Sequence, residues 1–482
     1  MAYDVCVVGG GPAGLAAALA AAEGGLCVVV LEKDVRLGGA LHYSGGHVSG
    51  AGTRAQAAKG IADSRAAHWD DIQRISMGTA REDLTRLSVE LQPGTVDWLE
   101  DLGVEWDPLT PRLVFGHEPY RTARTVHTSR MAVPIAEALE RAVAPHVESG
   151  RIEVRLCTPA ASLVVEGGRV TGVRTDSGDV VEARDTVLAT GGFGHNPELF
   201  RRYEKAPLVT SAAPGSTGDG LVMAVEAGAA VQGEGAYLPT FGGLPPEPGQ
   251  LRVDWVHRPH LVAPERKPWE IYVDQAGRRW INEEEPSIDR KERVLVTIPE
   301  MTFWTVFDAQ ALRESRPMIL GMSAAEVDAA AGVRRGITKA DTVADLAERA
   351  GIAADGLAAT VARYNHATSM GREDDFGRRH RPAPIAEPPF YAIENHPVTL
   401  ITFSGVDVDV DLGVRRPDGS VIEGLHAVGE VIGAAAFNGN SFCSGMVLTP
   451  ALALGRLLGA RLAGAPQPEI PNHQQPTHEE QH

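Results

Sequence analysis

The sequence predicts an α/β protein, a Rossmann-like dinucleotide-binding fold with a smaller α+β unit inserted in it. Three observations predict this. Residues 4–31 run strand, glycine turn, helix, strand within about thirty residues, the signature of a parallel α/β sheet. Composition shifts to Pro- and Gly-rich over 239–268, and strands with another glycine-rich loop return over 398–448. Glycine makes up 53 of 482 residues, about 11% against a usual 7%, and falls in clusters.

The remaining bounds are compatible with a globular protein. At about 150 residues per domain, the length allows roughly three domain-sized units. Hydrophobic residues are 43% and charged residues 22%, which excludes a disordered or fibrous chain. The net charge of −18 excludes a broad nucleic-acid or anionic-membrane face. Cys6, Cys27, Cys157 and Cys443 form no CxxC pair, so no metal, iron–sulfur or dithiol site is expected, and a reducing, cytoplasmic setting fits. The apolar run Gly14–Leu31 is interrupted by Glu23, Gly24 and Gly25 and is too short to span a bilayer. No basic leader precedes the first strand.

Element by element, Asp4–Val8 reads as a buried strand, Gly14–Glu23 as an Ala/Leu-rich helix and Cys27–Leu31 as a second buried strand. Helix is expected from Thr53 to about Leu102 and over Ser129–Val147. Strands follow at Ile152–Leu156, Ala161–Glu166 and Arg169–Thr175, the last two joined by a Gly167-Gly168 turn, and at Thr186–Ala189. Asp219–Ala227 reads as a helix, residues 239–268 as a long loop or subdomain, and Ile271–Asp274 with Trp280–Asn282 as a hairpin. Phe303–Asp308 is a strand, 309–365 is largely helical, and the glycine-rich loop near 440 enters a helix over Leu452–Leu462. The Pro/Gln/His/Glu-rich segment Pro466–His482 is expected to be disordered.

The first chemical motif is Gly9-Gly10-Gly11-Pro12-Ala13-Gly14, directly after a strand and opening a helix. Gly9 allows the tight turn, Gly11 lets the backbone approach a pyrophosphate, and Gly14 permits close helix–strand packing. The helix N-terminus offers free N–H groups and a positive dipole end to the phosphates. Glu32 closes the second strand, where an acid accepts hydrogen bonds from ribose hydroxyls. Glu32-Lys33 is followed by two glycine pairs, Gly38-Gly39 and Gly45-Gly46, around Ala40-Leu41-His42-Tyr43-Ser44.

At this point the chain resembles the flavoprotein family of fumarate reductases, succinate dehydrogenase flavoprotein subunits and 3-ketosteroid dehydrogenases, and the resemblance runs over about 460 residues. The motifs that carry it are Val187–Gly194, Gly215–Gly220 with Met223-Ala224, Gly277–Glu283, Tyr364-Asn365 with Asp374 and Arg378, and Gly424–Val431. It implies a glutathione-reductase-type FAD-binding domain over 1–236 and 380–465, a cap over 237–379, and a tail at 466–482. It implies FAD held by Gly9, Gly11, Pro12, Ala13, Gly14, Glu32, Lys33, Gly38, Gly39, Ser44, Gly45, Gly46, Ala161, Thr190, Gly191, Asp219, Gly429, Glu430, Val447 and Leu448. Several family members carry FAD on a His before the second glycine pair. Here the loop spacing is similar to the steroid-dehydrogenase branch, so non-covalent FAD is expected, with His42 at the flavin edge or in packing.

The substrate end departs from the fumarate reductases. Ile401 stands at the position of their substrate-clamping His, Arg290 and Arg293 lie several residues late for their catalytic Arg, and Asn438-Gly439-Asn440-Ser441 has no Arg. A dicarboxylate needs several cationic donors, so the thinned set points away from fumarate and succinate. Ser441-Phe442-Cys443-Ser444-Gly445-Met446 resembles instead the steroid-dehydrogenase loop that polarises a substrate carbonyl, with Phe442 replacing its Tyr. Ser444 and the Gly445 N–H match that role, and a polarised carbonyl acidifies the α C–H for a base. Candidates for the base are Tyr43, His117, Tyr120, His127, Tyr237, His257 and His260. Arg121 and Arg124 could anchor a carboxylate or form surface ion pairs, Cys443 reads as packing, and the Asp407–Asp411 alternation as a solvated strand face.

The expected activity is therefore FAD-dependent dehydrogenation of a CH–CH bond in a cyclic or small ketone, with an external electron acceptor. One alternative is a fumarate-reductase-like reduction of an unsaturated acid, with Arg290 or Arg293 as proton donor. The other is a non-catalytic flavin-binding protein. Substrate identity, reaction direction and oligomeric state are left open.

Overall fold

A computed structural model describes residues 3–465. The expected tail, 466–482, lies outside the described residues. The strands of the two larger sheets are β1 (Tyr3–Val8), β2 (Val28–Leu31), β3 (Ile152–Arg155), β4 (Ala160–Glu166), β5 (Arg169–Thr175), β6 (Val180–Leu188), β7 (Thr240–Gly243), β8 (Ile271–Val273), β9 (Phe303–Asp308), β10 (Ile337–Ala340), β11 (Phe390–Val398), β12 (Gly413–Arg415) and β13 (Val421–Ala427).

The first sheet has the order β12-β13-β6-β1-β2-β3, with the β4–β5 hairpin attached to β6. β13, β6, β1, β2 and β3 run parallel, with Val5 opposite Val28 and Asp185. A parallel sheet needs both faces covered, and β1 and β2 are accordingly almost all apolar. Helix Pro12–Glu23 begins with Pro, whose missing N–H costs nothing in the first turn, and buries nine of its twelve residues. It packs on helix Leu448–Leu462, where a Cβ at Gly455 or Gly459 would strike the carbonyls of Ala13 and Ala17. The second sheet is antiparallel in the order β7-β11-β9-β8, with β10 on β11. Four apolar clusters draw on it, against one large cluster around the first sheet.

Several expectations shift. The stretch 53–102 is three helices, Arg54–Ala58, Arg65–Ser76 and Glu82–Asp101, because Gly60, Met77 and Gly78 adopt positive φ and Thr53 and Ser64 cap new starts. Within 309–365, β10 is a strand, fixed by its pairing with β11 rather than by local pattern. Trp280–Asn282 forms no strand; a single bridge, Val273 to Arg279, closes the turn. Residues 407–409 extend as expected and pair with 413–415 through a Val408–Val414 bridge, whereas Asp409 accepts the N–H groups of Asp411 and Gly413, both at 2.9 Å, so the chain turns after it. β11 lies beyond residue 380 yet belongs to the second sheet, so by sheet membership the chain returns to the first sheet after 398. No helix among the described residues is long and apolar enough to cross a membrane.

Candidate active site

A cavity of about 760 Å³ runs from the first glycine turn to the loops of the second sheet. Its first end is built by β1, helix Pro12–Glu23 and β2. Gly9 has φ +107°, and a Cβ there would lie 2.5 Å from the Ala189 carbonyl oxygen. A Cβ on Gly11 would meet nothing within 4 Å, so bare backbone opens on the cavity at the helix N-terminus. Glu32 is buried, and its carboxylate accepts the Gly10 and Asp34 N–H groups, both at 2.8 Å. Lys33 Nζ holds Asp219 at 2.6 Å and Thr217 at 2.5 Å across the same end. Pro12, Ala13, Gly39, Ser44, Gly45, Gly46, Thr190, Gly191, Gly429, Glu430, Val447 and Leu448 also line the cavity.

Four expected residues stand elsewhere. Gly14 packs beneath the Gly9 carbonyl, as its helix–strand role requires, and is not in the wall. Gly38 gives its N–H to Gly10 O at 2.8 Å, bracing the turn from behind. Ala161 is exposed, since alternation along β4 turns Ala160 and not Ala161 to the cavity. His42 Nε2 bonds Leu37 O at 2.8 Å and is outside the wall, so it is a packing residue.

Two carboxylates hold the segment 402–404, Glu430 from the cavity wall and the buried Glu204 from outside it. Glu430 accepts Thr402 N at 2.9 Å and Thr402 Oγ1 at 3.2 Å, and burial pushes it up to about 7. Glu204 accepts the Phe403 and Ser404 N–H groups at 2.8 and 2.9 Å and is raised to about 7 by the same cause.

The second end gathers loops from distant parts of the chain. His117 stacks on Phe442 with ring centroids 3.9 Å apart at 19°. Burial pushes its imidazole down to about 3, with the charges of His47 and Arg258 adding to the effect. Burial likewise pushes His47 down to about 4, helped by His127 and Arg112. Both wall imidazoles are therefore neutral at pH 7. Ser444 sits on the loop two residues after Phe442. Its hydroxyl accepts from Thr125 Oγ1 at 3.2 Å, and its carbonyl accepts from Tyr120 OH at 2.6 Å and Ser49 Oγ at 2.9 Å. Gly445, at φ +78°, backs onto Ser49. Asp289 ties two of these loops together, accepting the Ser441 hydroxyl and the Glu118 N–H at 3.2 Å. Phe241, Leu261, Ile288 and Ile401 make much of the remaining wall apolar.

Of the expected catalytic residues, Ser444, Gly445 and Tyr43 line the cavity, together with His117 and His260. The others need correction. Tyr120 is buried against the back of the Ser444 loop, and burial raises its phenol well above the usual range, so it braces the loop. Tyr237 is buried between Phe200 and Phe403 with its hydroxyl on Thr399 Oγ1 at 2.9 Å. His127 stands edge-on behind His47 with Nδ1 on Thr128 O at 3.1 Å. Arg290 points outward, its side chain 71% exposed and 3.0 Å from Glu285, because helix Ile288–Leu295 turns Ile288 and not Arg290 to the cavity. Arg293 Nη2 meets the carbonyls of Ile75 and Asn440 at 3.4 Å, outside the wall. Arg124 is buried between Asp63 and Asp71, each at 2.9 Å, and Arg121 lies outside the wall. His257 pairs with Asp254 at 2.6 Å beyond the wall. Cys443 is buried and its thiol is raised well above normal, which excludes a ready nucleophile. Among the described residues no group of His, Cys, Asp or Glu could hold a metal.

Sequence reasoning passed over His47, Arg112, Arg258 and Glu265, all of which line the second end. His47 carried a signal, being the first residue after Gly45-Gly46. The others sit in loops with no periodicity to orient them.

The first end fits FAD on its own geometry. Open backbone faces the cavity at a helix N-terminus, an acid stands where a ribose would bind, and the buried Thr190 hydroxyl has no hydrogen-bond partner among the described residues. Comparison with known proteins agrees. A family model described as FAD binding domain matches residues 4–447. The NADH:fumarate oxidoreductase of Klebsiella pneumoniae is 30% identical over 470 residues, covering 96% of this chain and 48% of that protein, so the chain spans about half its length. The 3-oxosteroid 1-dehydrogenase of Mycobacterium tuberculosis is 28% identical over 571 residues, covering 96% of this chain and 98% of that one. The open conformation of a flavocytochrome c3 fumarate reductase superposes with a TM-score of 0.72 at 27% identity, over 96% of this chain and 78% of that one. The chain therefore belongs to the FAD binding domain family, its cofactor is FAD, and its relatives are FAD-dependent oxidoreductases of CH–CH bonds.

Proposed function

We propose that the protein moves hydrogen across a CH–CH bond activated by a carbonyl, desaturating a cyclic or small ketone or running the reverse reduction. The observation that carries this reading is the shared wall of the second end: neutral His117 stacked on Phe442, two residues before the Ser444 hydroxyl. When bound, FAD supplies the hydride acceptor, or the donor in the reverse direction. The Ser444 hydroxyl and the Gly445 N–H polarise the substrate carbonyl. The neutral imidazole of His117, too weak a base at about 3 for a C–H proton, donates a ring N–H to the same carbonyl, and Tyr43, in the wall with the Arg252 guanidinium 4.9 Å from its ring, takes the proton from the α carbon. Phe442 fixes the ring plane, and Phe241, Leu261 and Ile401 keep water from the reacting carbons. Tyr120 and Ser49 hold the loop so that the Ser444 hydroxyl keeps its aim.

FAD is held without a covalent bond in this reading, which is supported by the engagement of His42 with Leu37 O. An external acceptor takes up the electrons, and four free cysteines suit a reducing, cytoplasmic setting. With Arg290 turned outward and Arg293 outside the wall, a fumarate-type arginine donor has no support among them. The test is anaerobic mixing of the holoenzyme with cyclic ketones and, separately, succinate. Bleaching of the flavin by ketones alone is expected. Bleaching by succinate alone, with reoxidation by fumarate, would overturn the reading.

A further inference from the structure

The cap-side loop over 245–268 places Arg258 in the cavity wall, half-buried. Its guanidinium carries five N–H donors. Nη1 donates to the Trp255 carbonyl at 2.9 Å, and the Trp255 ring lies 4.4 Å from Cζ. Among the described residues no carboxylate lies within 4.0 Å of it, and Glu265, an acid close enough to act on its charge, is 3.4 Å from His260 Nε2.

Arginines whose side chains are almost wholly buried are treated differently. Arg124 meets two carboxylates at 2.9 Å, Arg279 meets Glu283 and Asp374 at 2.6 and 2.7 Å, and Arg378 meets Glu283 at 3.3 Å. A guanidinium removed from water is costly unless a counter-charge meets it. Arg258 is half-buried with no carboxylate in contact, Glu265 acting on it only at longer range, and its own charge helps lower His117. The edge formed by Nε and Nη2 is the bidentate face that matches a carboxylate.

We infer that Arg258 receives a carboxylate of the substrate, so that the substrate class is an oxo acid, a small ketone bearing a carboxylate remote from the reacting carbons. The inference rests on the carbonyl-activated reading above and narrows it. Of the two arginines that line this end, Arg112 and Arg258, only Arg258 is given the carboxylate, which differs from a dicarboxylate clamp and leaves the carbonyl to Ser444 and His117 and the proton to Tyr43.

The test uses the FAD-loaded enzyme under anaerobic conditions with two probes, 4-oxocyclohexanecarboxylate and its methyl ester. Binding is read from Trp fluorescence, to which Trp255 reports directly, and turnover from flavin bleaching. The acid should bind at least about tenfold tighter than the ester in the parent enzyme. Arg258→Gln should bring acid and ester to parity, and Arg258→Lys should restore part of the preference, with FAD content unchanged in both. Equal affinities in the parent, no binding of either probe, or an acid preference that survives in Arg258→Gln would overturn the assignment. If both probes bleach the flavin at equal affinity, the assignment fails and the carbonyl-activated reading stands. If the acid preference is found without bleaching, the assignment stands and that reading fails.

Discussion

The two ends of the cavity are built in opposite ways. The cofactor end is made largely of backbone and comes in good part from contiguous motifs. Gly9, Gly11, Glu32 and Lys33 fall within 25 residues and are held by β1, β2 and the helix between them. The substrate end is made of side chains brought together by tertiary structure. His47, His117, Arg258, Phe442 and Ser444 come from loops separated by up to about 400 residues, tied by contacts such as Asp289 to Ser441 and Tyr120 to Ser444. The contrast teaches that a large shared ligand fixes local sequence, whereas a variable substrate is met by a surface that only the fold assembles.

The largest effect should come from breaking the cofactor end without breaking the fold. Gly11→Val puts a side chain where nothing lies within 4 Å, so the apoprotein should keep its melting temperature within about 2 °C while FAD affinity falls by at least about 100-fold. Gly9→Ala is the contrasting variant: its φ of +107° and the 2.5 Å approach to Ala189 O should cost stability itself. Equal FAD binding in Gly11→Val, measured by equilibrium titration, would remove the glycine turn from cofactor binding.

The protonation pattern offers a second separation. His47 and His117, lowered to about 4 and 3 from an ordinary 6.5, bind protons more readily unfolded than folded. Their contribution to stability is present above pH 6.5 and is lost as pH falls toward 4 and then 3. Glu430 and Glu204, raised to about 7 from 4.5, bind protons more readily folded, so their contribution is present below 4.5 and is lost as pH rises through 7. Denaturation midpoints of the apoprotein should show Glu430→Gln flattening the loss between pH 4.5 and 7 and His117→Asn flattening the acid limb. The reverse assignment of the two limbs would contradict the site electrostatics.

Tyr120→Phe removes one hydrogen bond to the Ser444 carbonyl and should cost about 1 kcal/mol of stability, with flavin reduction slowed several-fold at most. A complete loss of activity at intact stability would make Tyr120 a catalytic group after all. The smallest effect belongs to Arg290→Ala. Its side chain is 71% exposed, and steady-state rates should stay within about twofold of the parent.

The legibility of the molecule follows the same division. The first sheet could be read because β1 and β2 are continuous apolar runs and the glycine turn between them permits few alternatives. β10 could not, since its strand state depends on β11, more than fifty residues away. Ser444 was legible through its loop motif, and Glu430 through its Gly-Glu pair. Tyr120, Tyr237 and Arg290 have suitable chemistry, but direction is set by packing: two phenols are spent on bracing, and one helix rotation puts Ile288 in the wall instead of the arginine. Arg258 lies in a stretch of loop whose course no periodicity reports, so its approach to the cavity was invisible before the fold was known.

The most direct measurement is anaerobic stopped-flow reduction of the flavin in His117→Asn at matched FAD content. If the neutral His117 N–H holds the substrate carbonyl together with Ser444, reduction should slow by about 100-fold or more while FAD binding is unchanged. Reduction at the parent rate would contradict the carbonyl-polarising role on which the account of this site depends.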